Sequence, residues 1–185
     1  VQAVVFEIRA ARLLGVDGFQ FYYPLVDNTS TLALRYNQVI RTFIQLSETR
    51  YPGFRVSLCL SHPNSQKATS EAERIALWRP SIRSLVQETR DSPAWLRTDS
   101  GSLLFYLWVG DALADGVGNL AQTPEQIVKV GQAYQHLSRT IGTPIEYVHQ
   151  VRRPVIDPAY ISSVARTFSA VWGWTASADL SSFFS

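Results

Sequence analysis

The stretch from Gly15 to Pro24 reads Gly-Val-Asp-Gly-Phe-Gln-Phe-Tyr-Tyr-Pro, and its pattern guides the interpretation of the whole chain. The glycine at its start ends a helix that carries apolar residues at helical spacing from Gln2 to Leu14. The residues Asp17 to Tyr23 are mostly apolar and aromatic, which is typical of a buried strand. A helix followed directly by such a strand is part of a repeating β/α unit.

The same alternation of helix and strand recurs downstream. Further strands are predicted at Arg55 to Ser61, Leu103 to Val109, Ile145 to Val151 and Ala170 to Ala176. Helical patterns separate these strands, and start signals are present in two of the helices, at Thr123-Pro124-Glu125-Gln126 and Asp157-Pro158. Because parallel strands need crossover helices, the sequence predicts an α/β protein with a parallel sheet.

Two α/β folds fit this alternation, a doubly wound sheet and a (β/α)8 TIM barrel. No Gly-x-Gly-x-x-Gly directly follows a strand, and Gly116-Val117-Gly118 lacks the third glycine, so the barrel is favoured. A whole barrel takes about 250 residues. The chain has 185 residues, contains no methionine and opens inside the first helical pattern. We therefore expect residues 1–185 to form a single incomplete barrel domain that is truncated at both ends.

The composition narrows the class of protein. Hydrophobic residues make up 46% of the chain and charged residues 17%, which is typical of a globular domain. The net charge is only +2 and the basic residues are scattered, so we expect no nucleic-acid partner. No stretch is apolar enough for a bilayer, and we expect no membrane partner. The single cysteine, Cys59, lies in an apolar run and is interpreted as a buried thiol.

The predicted strands end in residues that suit a binding site. In a barrel the functional side chains gather at the C-terminal ends of the strands. The residues at these ends are Tyr22, Tyr23, His62, Asp111, Gln150, Trp172 and Trp174. Aromatic rings bind the apolar faces of sugars, while histidine, aspartate and glutamine form hydrogen bonds with hydroxyls. The sequence therefore predicts a carbohydrate-binding rim.

Several of these residues also have a purely structural interpretation. Tyr22 and Tyr23 point to opposite faces of a strand, so at most one of them lines a cleft. Trp172 and Trp174 share a face and would also suit core packing. Asp111 would also suit a loop cap.

The sequence offers little support for a metal site or for a catalytic nucleophile. The three histidines, His62, His136 and His149, are too widely spaced to predict a metal site. The chain contains no Gly-x-Ser-x-Gly and no His-Glu-x-x-His motif.

The order of motifs resembles glycoside hydrolase family 71, the α-1,3-glucanases, and the related family 99 enzymes that cleave α-mannan. The similar segments are Ala10 to Phe19, Gly53 to Leu58, Pro93 to Arg97 with Leu103 to Phe105, and Ser169 to Trp174. They correspond to the approach to the second strand and to the third, fourth and sixth strands of these barrels. The resemblance therefore implies that the chain supplies about strands 2 to 6 with their helices.

The resemblance implies hydrolysis of an α-linked polysaccharide, α-1,3-glucan first, by two carboxylates and without a cofactor. The families carry that pair in a late motif that is missing here, so the catalytic residues are expected beyond Ser185 and the 185-residue piece alone is expected to be inactive. The resemblance also implies an extracellular or periplasmic protein. The alternatives are a carbohydrate-binding barrel without catalysis, a family 99-like α-mannan hydrolase, and a barrel enzyme that acts on a small molecule.

Overall fold

The computed structural model describes residues 1–23, 31–60, 71–108, 123–151 and 157–173. Helices and strands alternate along the chain in the order α1 (Gln2–Leu13), β1 (Gly18–Tyr23), α2 (Thr31–Thr49), β2 (Arg55–Leu60), α3 (Glu71–Thr89), β3 (Leu103–Leu107), α4 (Pro124–Ile141), β4 (Ile145–Val151), α5 (Pro158–Thr167) and β5 (Ala170–Gly173). The predicted alternation is confirmed. None of these helices is both long and apolar enough to cross a membrane.

Local chemistry determines where the later helices begin and end. The Thr123 hydroxyl accepts a hydrogen bond from the backbone of Gln126, whose side chain accepts one from the backbone of Thr123, and Pro124 occupies the first turn. Gly142 ends α4 in the left-handed conformation, with φ of 74°. Asp157 caps α5 through the backbone of Ala159. The capping signals in the sequence are thus confirmed.

The five strands form one parallel sheet in the order β1-β2-β3-β4-β5. Each helix packs against the next one along the chain. A right-handed crossover between neighbouring strands places its helix on the same side every time, whereas a doubly wound sheet reverses its order and carries helices on both sides. The sequential order therefore favours a single layer of helices. The structure shows a parallel α/β sheet of five strands in sequential order.

The face of the sheet toward the helices forms the core. Phe21 packs against Phe43 of α2 at a ring distance of 4.8 Å. In register with Phe21 lies Leu58, which is fully buried. On β4 the Tyr147 hydroxyl lies 2.8 Å from the hydroxyl of Ser138 in α4. Burying these large side chains supplies the main stabilisation, about 25 cal/mol for each Å² of apolar surface removed from water.

The short segment Ala94 to Leu96 separates β2 from β3 at their N-terminal ends. The backbone of Val56 accepts a hydrogen bond from Leu96 and donates one to Ala94, and Leu104 donates in turn to Leu96. The Ser57 hydroxyl crosses this region to donate to the Leu104 carbonyl at 2.6 Å. Direct pairing of β2 with β3 is therefore confined to the C-terminal ends, at Cys59 with Tyr106 and Leu60 with Leu107. From the sequence, this segment was interpreted only as a lead-in to β3.

Candidate functional site

The second face of the sheet has a different composition from the core face. The strand registers align Tyr22, Cys59, Tyr106, Val148 and Ala170 in one row across this face. Gln150 and Trp172 form the next row toward the C-terminal ends. We call this second surface the open face. Aliphatic residues dominate a packed barrel interior, whereas amide, hydroxyl and aromatic side chains dominate here, as they do in sites that bind polar ring compounds.

Of the two adjacent tyrosines, the structure places only Tyr22 on the open face. Tyr22 is 50% exposed, whereas Tyr23 is 2% exposed. The Tyr23 hydroxyl donates to Asn37 Oδ1 at 2.7 Å, and Asn37 donates to the Ser81 carbonyl. Burial raises the pKa of Tyr23 to about 12. The predicted alternation is confirmed, and Tyr23 is a buried core residue on the helix side.

Trp172 is held flat across the open face. Its indole nitrogen donates to the carbonyl of Leu107 at 3.0 Å. Because β4 lies between β3 and β5, this bond carries the ring across β4. The ring also contacts Tyr106 edge-on, with centroids 6.1 Å apart and planes at 87°. An indole fixed at its N–H and its edge loses little further entropy when a ligand stacks on it.

Trp108 forms the second wall of the site and was missed as a site residue from the sequence. Its ring centroid lies 5.8 Å from that of Trp172, with the planes tilted by 44°. Its backbone nitrogen donates to the Leu60 carbonyl, so the residue continues the pairing at the end of β3. The period-2 pattern Leu104, Tyr106, Trp108 could have identified it, because alternate residues of a strand share a face. The prediction instead chose Asp111, which follows the predicted strand Leu103 to Val109, as the site residue at that strand end.

An open cavity of about 390 Å³, here called the upper cavity, lies between these rings. Its lining residues are Gln20, Tyr22, Cys59, Trp108 and Trp172. None of these side chains carries a charge at neutral pH, since burial raises the pKa of Cys59 to about 12 and keeps it a thiol. The lining therefore suits a neutral ligand with flat apolar faces and hydroxyl groups.

Gln150 lies beside Trp172 in the register and is 2% exposed. Its amide is thus close to the upper cavity but covered by its neighbours. Gln150 is absent from the lining of the upper cavity, so the structure places it as a buried neighbour of the site.

A second cavity of about 470 Å³, here called the lower cavity, adjoins the upper one at the N-terminal ends of the strands. Gln20 and Trp172 line both cavities, and Asp17 and Arg55 line only the lower one. Farther along this edge Glu146 accepts hydrogen bonds from Ser100 and Thr98, at 2.8 and 2.9 Å. The serine, followed by further hydroxyls, lowers the pKa of Glu146 below its usual range. Its partners belong to the turn before β3 and, at Ser169, to the residue before β5, so Glu146 ties these two segments together.

Three predicted site residues, His62, Asp111 and Trp174, lie outside the described residues. The structure therefore brings together Tyr22 and Trp172 in the lining of the upper cavity and buries Gln150 beside Trp172 in the register. Among the residues that are described, no cluster of histidine, cysteine, aspartate and glutamate could hold a metal ion. The described site is an aromatic surface that presents two indole rings, a phenol and an amide to the upper cavity.

No family model matches the chain, and no curated protein matches it. The family resemblance in the sequence therefore remains a prediction. The geometry of the open face supplies the grounds for a functional proposal.

Proposed function

We propose that the chain forms part of the (β/α)8 barrel of a glycoside hydrolase and binds an α-linked polysaccharide, α-1,3-glucan first, on the open face. The single observation that carries the proposal is the upper cavity, where Tyr22, Trp108 and Trp172 surround a space lined only by uncharged side chains. Sugar rings present apolar C–H faces to aromatic rings and hydroxyls to amides and phenols. A charged ligand would leave its charge uncompensated there.

The size of the upper cavity agrees with a small number of sugar units. Ligand sites commonly enclose about 300–1,000 Å³, and the upper cavity holds about 390 Å³. The adjoining lower cavity shares Gln20 and Trp172 with it. In a closed barrel the lower cavity belongs to the interior, so the proposed sugar contacts Trp172 from the upper cavity, at the C-terminal ends of the strands.

The barrel part of the proposal is supported by the sequential strand order and by the helix-to-helix packing. Hydrolysis by two carboxylates would need an acid and a second carboxylate about 5–9.5 Å apart. Among the described residues the C-terminal strand ends supply aromatic and amide groups. In this proposal the carboxylate pair comes from polypeptide beyond Ser185, as the family resemblance implies.

Calorimetric titration with soluble α-1,3-linked glucose oligosaccharides tests the binding. We expect Trp172→Ala and Tyr22→Ala each to weaken binding about tenfold, because an aromatic contact contributes about 1–2 kcal/mol. The matched control is Val171→Ala, a substitution on the opposite side of the same strand at a residue that is 55% exposed. Unchanged affinity in both aromatic variants would overturn the proposal.

The described strand ends also suit the second candidate function, carbohydrate binding without catalysis, because a binding protein needs no acid pair. Release of reducing sugar from α-1,3-glucan by the full gene product separates the two functions. Release from α-mannan instead would indicate a family 99-like hydrolase. Tight binding of inorganic phosphate at the upper cavity would favour a small-molecule enzyme.

A further inference from the structure

The edge strand β5 has one anchor on each side of the sheet. On the open face Trp172 is bonded to the Leu107 carbonyl at 3.0 Å. On the helix side Val171 is 55% exposed, whereas Phe168, just before the strand, is only 8% exposed. Among the described residues from 168 to 172, Phe168 therefore provides the buried contact on the helix side.

Phe168 makes this contact by stacking on His149. The two rings lie 4.5 Å apart and within 11° of parallel. His149 is fully buried, and neither of its ring nitrogens has a hydrogen-bond partner among the described residues. A neutral imidazole can serve here as a flat packing surface, whereas a buried imidazolium without partners is strongly disfavoured.

Among the described residues, the elements around His149 offer no buried charge that would stabilise a bound proton, and Glu146 of β4 lies on the opposite face of the strand. The charged and titratable side chains of α4 and α5 with its cap are exposed, namely Glu125, Lys129, His136, Arg139, Asp157 and Arg166. The titratable side chains buried on these elements and on β4 are the phenols of Tyr134, Tyr147 and Tyr160, which are neutral in mild acid. Burial alone lowers the pKa of His149 to about 4.

We propose that His149 is a proton-sensitive latch for β5. Proton uptake by its ring breaks the stack with Phe168, and β5 then detaches from β4 and carries Trp172 away from the open face. If the proposed function holds, on which this consequence rests, acid also releases the bound sugar.

The direction of the effect follows from proton linkage. In the open state His149 is hydrated and titrates near its usual pKa of 6.5, whereas in the closed state its pKa is about 4. Above pH 6.5 neither state binds the proton, and the latch is fully closed. Between 6.5 and 4 only the open state binds it, so the closed state loses about tenfold in relative population for each pH unit.

Hydrogen exchange of the sugar-free chain between pH 7 and pH 4.5, corrected for intrinsic rates, tests the latch. We expect the protection of β5 amides to be lower than that of β3 amides at every pH, because β5 opens without global unfolding, and to fall about tenfold per pH unit below 6.5. His149→Phe keeps a ring on Phe168 but cannot bind a proton, so its β5 protection should not change. His136→Gln, at an exposed histidine of α4, should behave like the unaltered chain.

Three outcomes would overturn the latch. These are β5 protection that is constant with pH, β5 protection equal to that of β3 at every pH, and a fall in His149→Phe that equals that of the unaltered chain. Phe168→Ala gives an independent test, since it removes the stack without a change of pH, and retention of β5 protection at pH 7 would also contradict the latch. Because no sugar is present in the exchange experiment, its failure would leave the proposed function to be tested separately by the sugar titration at pH 7.

Discussion

At the scale of single residues, neighbouring tyrosines have opposite environments. Tyr23 is buried and donates to Asn37 Oδ1 at 2.7 Å, while Tyr22 lies half exposed in the lining of the upper cavity. The strand alternates its side chains, and the helices cover only one of the two faces. The hydroxyl of Tyr23 therefore stabilises the fold, and that of Tyr22 is available to a ligand.

This difference predicts opposite effects of two equivalent substitutions. Tyr23→Phe leaves the buried oxygen of Asn37 without its donor and should lower the free energy of unfolding by about 1–2 kcal/mol, with little effect on sugar binding. Tyr22→Phe should change stability by less than about 0.5 kcal/mol and weaken binding. Urea unfolding and calorimetry measure the two effects. Equal stability losses in both variants would contradict the assignment of faces.

The residue scale also shows how far sequence reasoning reached into the site. Tyr22 and Trp172 were predicted because each ends an apolar run. Gln150 was predicted as a direct contact, but it is buried among its neighbours. Whether this amide is covered depends on how far neighbouring side chains, that of Trp172 among them, extend across β4, and strand periodicity does not encode that reach. Trp108 was missed because Asp111, just after the predicted strand Leu103 to Val109, was chosen as the site residue there, and Asp111 lies outside the part of the chain that the structure describes.

At the scale of elements, α4 and α5 pack closely enough to exclude a methyl group at one position. A Cβ on Gly131 would collide with Cγ2 of Thr167 at the end of α5. Glycine within a helix otherwise costs about 1 kcal/mol relative to alanine. The close approach of α4 and α5 thus explains why position 131 is glycine, although glycine lowers the stability of α4 itself.

The contact predicts a change of sign between two backgrounds. Gly131→Ala alone should lower the free energy of unfolding by about 1 kcal/mol, since the clash outweighs the gain in helix propensity. With Thr167→Ser the methyl group is gone, and the same substitution should raise that free energy by up to about 1 kcal/mol. Denaturant unfolding of the unaltered chain, the two single variants and the double variant measures the coupling free energy between the two positions. The same sign in both backgrounds would show that Thr167 is not the obstacle.

The elements themselves were largely predictable from local chemistry. The capping residues Thr123 and Asp157 mark the helix starts through hydrogen bonds to backbone groups only two or three residues away, so no distant contact is needed to predict them. The segment around Trp95, which separates β2 from β3, was not predicted as part of the sheet. Its backbone pairs with Val56 only through a single bridge, and such long-range pairing has no periodic signature in the sequence.

At the scale of the whole molecule, the sheet has two outer edges, those of β1 and β5, that are unpaired among the described residues, and one face, the open face, that carries partly exposed aromatic side chains. Unpaired parallel strands with exposed apolar groups favour association between chains. When neither a ligand nor other polypeptide covers the open face, we expect it to add to the association between chains.

Sedimentation velocity at increasing concentration tests this expectation. We expect the unaltered chain to associate as its concentration rises. Val171→Lys, which places a charge on the edge strand at an exposed residue, should shift this association to at least several-fold higher concentration. A single monomeric species at all concentrations for the unaltered chain would contradict it.

The function proposed for the whole molecule depends on a sugar lying on the open face between Tyr22, Trp108 and Trp172. Hydroxyl-radical footprinting with and without an α-1,3-linked glucose oligosaccharide, read by peptide mass spectrometry, examines that position directly. Trp95 is 1% exposed in the core and serves as the internal reference. We expect the sugar to lower oxidation of Tyr22, Trp108 and Trp172 several-fold and to leave that of Trp95 unchanged. Unchanged oxidation of all three site residues under saturating sugar would show that no sugar binds there.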